Sequence, residues 1–147
     1  MKKILITRKL IQSSEKHAAE LFDLKLNEED HILKKEELIS ESNDCDGILS
    51  SITDKFDNDV ILKLPKTVKI ISNFAVGYGN IDIGSAKKRN IVVTNTPDVL
   101  TDATAEIAIL VLLGAARRAK EGAEWVKKKI GNGHQNFYWV SNCQDQD

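Results

Sequence analysis

Short apolar runs alternate with segments of helical spacing along the first hundred residues, and this alternation constrains the fold more than any other feature. Most of the runs are rich in Ile, Leu and Val, as expected for strands buried on both faces of a sheet. Strands that alternate with helices form a parallel sheet with helices packed on its faces. The predicted strands are 3–7, 23–27, 47–52, 68–76 and 91–95, and the predicted helices are 15–22, 34–42, 57–64 and 81–88.

Residues 1–100 are therefore predicted to form a small α/β domain with a flavodoxin-like, doubly wound parallel sheet. Ligands of such sheets bind beyond the carboxyl ends of the strands. The segments to consider as a site are 7–9, 50–54, 76–80 and 94–98.

The pattern changes after residue 100. Thr101–Arg118 is apolar on nearly every side from Ala103 to Ala116, which predicts one long, buried helix. Thr101 or Asp102 is predicted to cap it. A five-stranded domain has little surface left to bury such a helix, so the helix predicts a second domain or a second subunit. Residues 101–130 are assigned to this crossover helix and the start of the second domain, and 131–147 to an irregular tail.

Composition argues against several classes of function. The formal net charge is -1, which gives no reason to expect a nucleic-acid partner. The apolar run at 3–7 is too short for a membrane span or a signal peptide, so no membrane partner and a cytoplasmic location are predicted. The three histidines are scattered and lack the spacing of metal ligands, so no metal is expected.

Residues Ala75–Asn80 follow the most apolar strand and contain two glycines. Glycine permits a sharp turn with bare N–H groups, which suits an anion, and a simple strand-to-helix turn is the alternative. The spacing Gly77-x-Gly79 begins like a dinucleotide fingerprint, but Asp82 stands where the third glycine is needed. The loop is therefore predicted not to bind a cofactor.

A second motif, Thr94–Glu106, combines a strand end, a loop stiffened by Pro97 and the start of the long helix. A helix N-terminus suits a phosphate or a polarised carbonyl. An interdomain linker is the alternative interpretation.

The two motifs together resemble those of the D-isomer-specific 2-hydroxyacid dehydrogenases, most closely the glyoxylate and hydroxypyruvate reductase branch. The first motif is carried by Ile70–Tyr78 with Asn80–Asp82, and the second by Val92–Pro97 with Val99–Glu106. The similarity is dense from Gly47 to Lys129 and weaker before it.

The resemblance implies roles for particular positions. Backbone amides near the start of the glycine loop hold the carboxylate of a small 2-oxo or 2-hydroxy acid, and the start of the long helix lies beside NAD or NADP. The positions implied are Ala75, Val76 and Gly77 for the substrate, and Leu100 and Thr104 for the cofactor. One departure is Gly79, where the family usually carries Asp.

The resemblance also implies what these 147 residues lack. The family's glycine fingerprint, its Arg and its His with an acidic partner lie downstream of residue 147, so no residue here is assigned a catalytic role. The chain is predicted to be a truncated dehydrogenase that is inactive alone, binds little or no cofactor, and self-associates where intact members form homodimers. The alternatives are a stand-alone module that binds small carboxylates and a subunit completed by a separate cofactor domain.

The end of the chain is predicted to be out of frame from about Trp139. Family members read Leu-Gly-x-x-Leu-x-Gly before the fingerprint strand. When the codons for Tyr138–Asp145 are read in the frame one base upstream, the first two shifted codons must encode Leu-Gly. If Ser141 has a TCN codon, the codons that follow can encode Ile-Gln-Leu-Ser-Gly. The hypothesis is a frameshift near Phe137–Trp139.

Overall fold

The computed structural model of the chain describes residues 1–130, which divide into a compact unit at Met1–Val99 and a second unit that begins at Leu100. The strands are β1 (Lys3–Ile6), β2 (Asp23–Leu26), β3 (Gly47–Ser51), β4 (Ile70–Phe74) and β5 (Val92–Thr94). The helices are α1 (Gln12–Leu21), α2 (Lys35–Glu41), α3 (Asn58–Lys63), α4 (Ile83–Lys88), α5 (Thr101–Ala116) and α6 (Ala119–Ile130).

The five strands form one sheet in the order β2-β1-β3-β4-β5, and every neighbouring pair is parallel. The predicted doubly wound α/β sheet is thus confirmed. The crossover from β1 to β2 runs in one direction along the sheet and the later crossovers run in the other. Because such crossovers are right-handed, α1 lies on one face and α2, α3 and α4 lie on the opposite face.

The hydrophobic core lies between the sheet and the face that carries α2, α3 and α4. Strands β1, β3 and β4 contribute side chains that alternate along each strand, and the helices contribute the residues facing them. The main members are Leu5, Ile48, Ile71, Leu38, Val60, Ile61 and Ala86. Helix α1 has no buried residue, so the opposite face of the sheet is packed much less completely.

Aspartate side chains cap the N-terminal ends of α3 and α4. Asp57 accepts a hydrogen bond from Val60 N at 3.1 Å, and Asp82 accepts one from Ser85 N at 3.0 Å. Each carboxylate satisfies an N–H group that has no partner within its helix. Asn90, shortly after the end of α4, has φ 54°, a left-handed conformation that Asn tolerates.

Two features of the second unit differ from what the sequence predicted. Leu100 occupies the N-cap of α5 without a side-chain cap, and Thr101 and Asp102 lie inside the first turn. The predicted burial of α5 requires a second domain or a second subunit, and none of its residues is buried within the described part of this chain. Helix α6 was not predicted. Its half-buried positions, Gly122 and Val126, are four residues apart, but the many charged residues around them leave no clear apolar pattern of helical spacing.

Gly47 lies in the middle of the sheet, where there is no room for a side chain. A Cβ at this position would stand 2.7 Å from Ile70 Cγ2 and 3.1 Å from Ile4 Cδ1. We expect Gly47→Ala to lower the free energy of unfolding by about 1–3 kcal/mol, since both neighbours would have to move. Urea denaturation measures the change. Gly79→Ala, whose Cβ would meet nothing within 4 Å, is the matched control, and an equal loss in both variants would contradict this explanation.

Candidate functional site

The segments that follow β1, β3, β4 and β5 lie together at the carboxyl edge of the sheet and are joined by hydrogen bonds. The Thr7 hydroxyl donates to the Asp54 carboxylate, and Arg8 donates to Thr53 Oγ1 at 3.2 Å. Asn80, after β4, donates to the Asp54 carbonyl at 2.9 Å. These segments are the ones that the sequence singled out, and the structure holds them in fixed relation.

The amide loop (Ala75–Gly79) follows β4, and its first three carbonyl groups all accept hydrogen bonds. Two of the donors come from the segment after β5, and the third comes from the end of β4. The pairs are Ala75 O with Thr96 N at 3.0 Å, Val76 O with Asn95 Nδ2 at 2.7 Å, and Gly77 O with Asn73 Nδ2 at 2.9 Å. The carbonyl groups beside the N–H groups of Val76 and Gly77 are therefore all engaged.

The N–H side of the same loop is free. Ala75 N donates to Asn73 O at 2.8 Å, but the N–H groups of Val76 and Gly77 and of the two residues after them have no acceptor within residues 1–130. Val76 is 37% exposed, so its N–H group is not sealed in the core. Successive free N–H groups in a turn suit an anion.

The glycines of the loop do not serve the purpose that the sequence indicated. Neither Gly77 nor Gly79 has a left-handed φ, and a Cβ at either position would meet nothing within 4 Å. The turn therefore does not require glycine, and an Asp at position 79 would fit. What Gly77 provides is open space beside the free amides.

Asn73 and Asn80, one at each end of the amide loop, form a hydrogen-bonded pair that the sequence reasoning missed. Asn73 Nδ2 donates to Asn80 Oδ1 at 3.1 Å, and Asn80 Nδ2 donates back to Asn73 Oδ1 at 3.3 Å. Asn73 is fully buried and also accepts from Ser50 Oγ at 3.1 Å. An Asn inside the apolar run that became β4 was the available signal, because buried amides need partners.

Asp54 ties the loop after β3 to the end of β1. One carboxylate oxygen of Asp54 accepts hydrogen bonds from the Thr7 hydroxyl and from Ser51 N. The other oxygen is buried and has no hydrogen-bond partner, and no other buried side-chain oxygen or nitrogen among the described residues lacks one.

Two cavities lie near the carboxyl edge of the sheet. An open cleft of about 370 Å³ lies between residues 52–57 and 79–82. A second cavity of about 580 Å³ is lined by Tyr78 and by residues of α4 and β5. Val76 and Gly77 line neither cavity.

Arg8 and Asp30 fix the segment after β1. Hydrogen bonds from Arg8 Nε at 2.8 Å and from Lys9 N at 2.9 Å lower the pKa of Asp30 to about 2. The same carboxylate raises the pKa of Arg8. The pair holds Arg8 at the edge of the sheet with its positive charge retained.

The Asp30 interaction predicts a loss of stability in acid. A carboxyl whose pKa is lowered on folding stabilises the protein above its ordinary pKa of 3.8, and this contribution disappears as the pH falls from 3.8 towards about 2. We expect wild-type stability to fall more steeply than that of Asp30→Asn across this range, measured by urea denaturation at several pH values. Asp23→Asn controls for the removal of a carboxylate. Parallel curves for wild type and Asp30→Asn would show that the pair contributes nothing.

The two positions proposed to lie beside a cofactor belong to the second unit. Leu100 O accepts from Thr104 N at 2.9 Å, which is the first hydrogen bond of α5. Leu100 is 48% exposed, and Thr104 is also exposed.

Among residues 1–130, no group of three or more His, Cys, Asp or Glu side chains is placed to hold a metal. No helix in this range is long and apolar enough to cross a membrane.

Sequence comparison assigns the chain to a family with known activities. Residues 4–141 match the model of the D-isomer-specific 2-hydroxyacid dehydrogenase catalytic domain. A glyoxylate reductase of Thermococcus onnurineus is 40% identical over 125 residues, which is 85% of this chain and 37% of the relative. A glycerate dehydrogenase of Hyphomicrobium methylovorum is 38% identical over 144 residues, which is 98% of this chain and 45% of the relative.

Solved structures of related enzymes share the fold. A D-isomer-specific 2-hydroxyacid dehydrogenase of Polaromonas sp. JS6 66 has a TM-score of 0.82 at 32% identity, covering 95% of this chain and 44% of the other. A glyoxylate/hydroxypyruvate reductase of Sinorhizobium meliloti, solved with NADP and malonate, has a TM-score of 0.72 at 26% identity, covering 97% and 43%. The chain thus spans less than half the length of these relatives. The chain belongs to the D-isomer-specific 2-hydroxyacid dehydrogenase family, as its two motifs indicated.

Proposed function

We propose that this chain is the substrate-binding part of an NAD(P)H-dependent reductase of small 2-oxo acids, of the glyoxylate/hydroxypyruvate type. The substrate carboxylate lies on the N–H groups of Val76 and Gly77. The observation that carries the proposal is that these adjacent N–H groups are free while every carbonyl beside them is engaged. A carboxylate has two oxygens that accept hydrogen bonds, and its charge strengthens both bonds.

The relatives support a small acid as the substrate. The curated relatives include glyoxylate reductases and a glycerate dehydrogenase, and the Sinorhizobium meliloti reductase was solved with malonate, a small dicarboxylate. Open space beside Gly77 leaves room for the carboxylate to approach the backbone. We propose no metal and no nucleic acid as partners of this site.

The glycine loop after β4 does not fit a dinucleotide. In a dinucleotide fingerprint, glycines let the pyrophosphate approach the backbone, and the third glycine lets the following helix pack closely on the strand. Asp82 occupies the position of that third glycine, and its carboxylate accepts a hydrogen bond from Ser85 N. We therefore propose that the chain alone binds little NAD or NADP. Leu100 and Thr104 are proposed to form only part of the wall beside a cofactor that other residues hold.

The exposure of the amide loop bears on how tightly the acid binds. Val76 is 37% exposed and Tyr78 is 54% exposed, so solvent competes for the amides. Binding by the isolated chain is therefore expected to be weak, with a dissociation constant on the order of millimolar. We propose that the enclosure that excludes water in a working enzyme comes from further protein.

Two other functions each have one observation in their favour. Every donor that holds the amide loop lies within residues 73–96, so the first unit is sufficient as a stand-alone carboxylate-binding module. The exposed apolar residues of α5 suit a subunit completed by a separate cofactor domain. Our principal proposal remains a truncated reductase that is inactive alone.

The test is a chimera in which residues 1–130 replace the matching segment of the Thermococcus onnurineus glyoxylate reductase. We expect the folded chimera to oxidise NADH or NADPH with glyoxylate or hydroxypyruvate, and the 147-residue chain alone to show no turnover. Gly77→Val in the chimera is the matched inactive control. A folded chimera without activity would sink the proposed function, and turnover by the chain alone would show that a cofactor site exists within it.

A further inference from the structure

The segment after β5 holds the two carbonyl groups that precede the free amides. Thr96 N donates to Ala75 O at 3.0 Å, and Asn95 Nδ2 donates to Val76 O at 2.7 Å. A peptide unit is planar and trans, so fixing a carbonyl also fixes the N–H group of the next residue, which points the opposite way. Thr96 therefore orients the Val76 amide, and Asn95 orients the Gly77 amide.

Asn95 is the side-chain member of this arrangement. A carbonyl oxygen accepts hydrogen bonds only, so the nitrogen of the Asn95 amide must face Val76 O, and this fixes the side chain's orientation. Asn95 is half-buried at the edge of the sheet, outside the core cluster. Its loss should therefore disturb the loop more than the fold.

We propose that Asn95 is a positioning residue, which sets the affinity of the site for carboxylates by aiming the Gly77 N–H group. The inference deepens the proposed function and rests on it, because the oriented amide is the one assigned to the substrate. Asn95 itself does not touch the acid. Its effect passes through the Val76–Gly77 peptide unit.

The neighbouring Thr94 provides a matched control. Thr94 Oγ1 donates to Ser72 Oγ at 3.0 Å, so Thr94→Ala also removes one partly exposed hydrogen bond from the same strand end. That bond does not involve the amide loop. A general weakening of the β5 edge would therefore affect both variants alike, whereas loss of positioning would affect only Asn95→Ala.

The experiment is ¹⁵N NMR on the purified 147-residue chain, first without ligand and then with glycolate. In Asn95→Ala we expect the free chain to show a displaced Gly77 amide signal with faster hydrogen exchange. Glycolate should bind about fivefold to tenfold more weakly than to wild type, the effect of one hydrogen bond. Thr94→Ala should match wild type in both measurements, with both variants remaining folded.

A second variant separates positioning from simple loss of contact. Asn95→Asp has the same shape, but its carboxylate cannot donate to Val76 O near neutral pH. In the free chain we expect the Gly77 signal to be displaced at pH 7 and to return towards its wild-type position as the pH falls and the carboxyl gains a proton. Wild type should show no such change.

The outcomes are distinguishable. If wild type does not bind glycolate, the proposed function fails, and the ligand-free Gly77 signals still decide whether Asn95 orients the amide. If wild type binds and Asn95→Ala binds equally well, the positioning role is wrong and the proposed function stands. Equal losses of affinity in Asn95→Ala and Thr94→Ala would also overturn the positioning role.

Discussion

The purified 147-residue chain is expected to self-associate through α5. Six consecutive or near-consecutive apolar residues of this helix are exposed by 56% to 68% of their surface: Ile107, Ile109, Leu110, Val111, Leu112 and Leu113. A continuous apolar surface of this kind drives association, because water is released when it is covered. Sedimentation velocity at micromolar concentration should show dimers or larger species, and a hydrophobic dye should bind.

Charge on one face of α5 should reverse that behaviour. Leu110 and Leu113 lie on the same side of the helix, three residues apart. We expect Leu110→Lys with Leu113→Lys to weaken self-association by about 30-fold to 1,000-fold, since burial of each leucine contributes about 1–2 kcal/mol. Ile11→Lys with Ile32→Lys is the matched control, because these side chains are 72% and 57% exposed and lie outside α5. A monomeric wild type without dye binding would contradict the prediction.

Gly77→Val is expected to weaken carboxylate binding strongly while leaving the fold intact. The backbone at Gly77 is not left-handed and a Cβ there meets no protein atom, so we expect a stability change within about 0.5 kcal/mol. The added side chain fills the open space beside the free amides, so affinity for glycolate should fall by about tenfold or more. Gly79→Val, equally open, should bind almost as wild type does.

Two measurements check the Gly77 prediction together. Urea denaturation gives the stability of each variant, and an NMR titration with glycolate gives its affinity. The role assigned to the amide loop would be wrong if Gly77→Val bound like wild type. It would also be wrong if both glycine variants lost affinity equally, since that would point to a change in the turn rather than in the site.

The sheet was predictable because its strands carry a strong local signal. The apolar run at 68–76 is stable only where both of its faces are covered, as in the middle of a sheet. The strand that it forms, β4, lies between β3 and β5. The structure shortens that strand to Ile70–Phe74, because the following residues turn away to form the amide loop. Strand ends depend on tertiary hydrogen bonds, which spacing in the sequence does not report.

The features that depend on partners distant in sequence were the hardest to predict. The composition of α5 predicts that the helix needs a covering surface from a second domain or a second subunit, and no residue of α5 is buried in the described part of this chain. Asn73 and Asn80 were overlooked because their pairing appears only when β4 and its loop fold back together. The predicted tail at 131–147, with its frameshift near Trp139, lies outside the described residues and stays a hypothesis.

The sequence located the loop with free amides more successfully than it explained it. The motif at Ala75–Asn80 lies at the carboxyl edge of the sheet as predicted, but glycine flexibility was the wrong reason, since neither glycine is left-handed. The physical basis is the engagement of three successive carbonyls by Thr96, Asn95 and Asn73. Two of these donors lie in the second motif, which the sequence treated as a separate feature.

The most direct test of the central claim is an NMR titration of the ¹⁵N-labelled chain with glycolate, with uncharged glycolamide as the matched control. We predict that the amide signals of Val76 and Gly77 move together and saturate with glycolate, and that glycolamide leaves them in place. Saturable shifts confined to other residues, or equal responses to glycolate and glycolamide, would show that these amides do not form the carboxylate site.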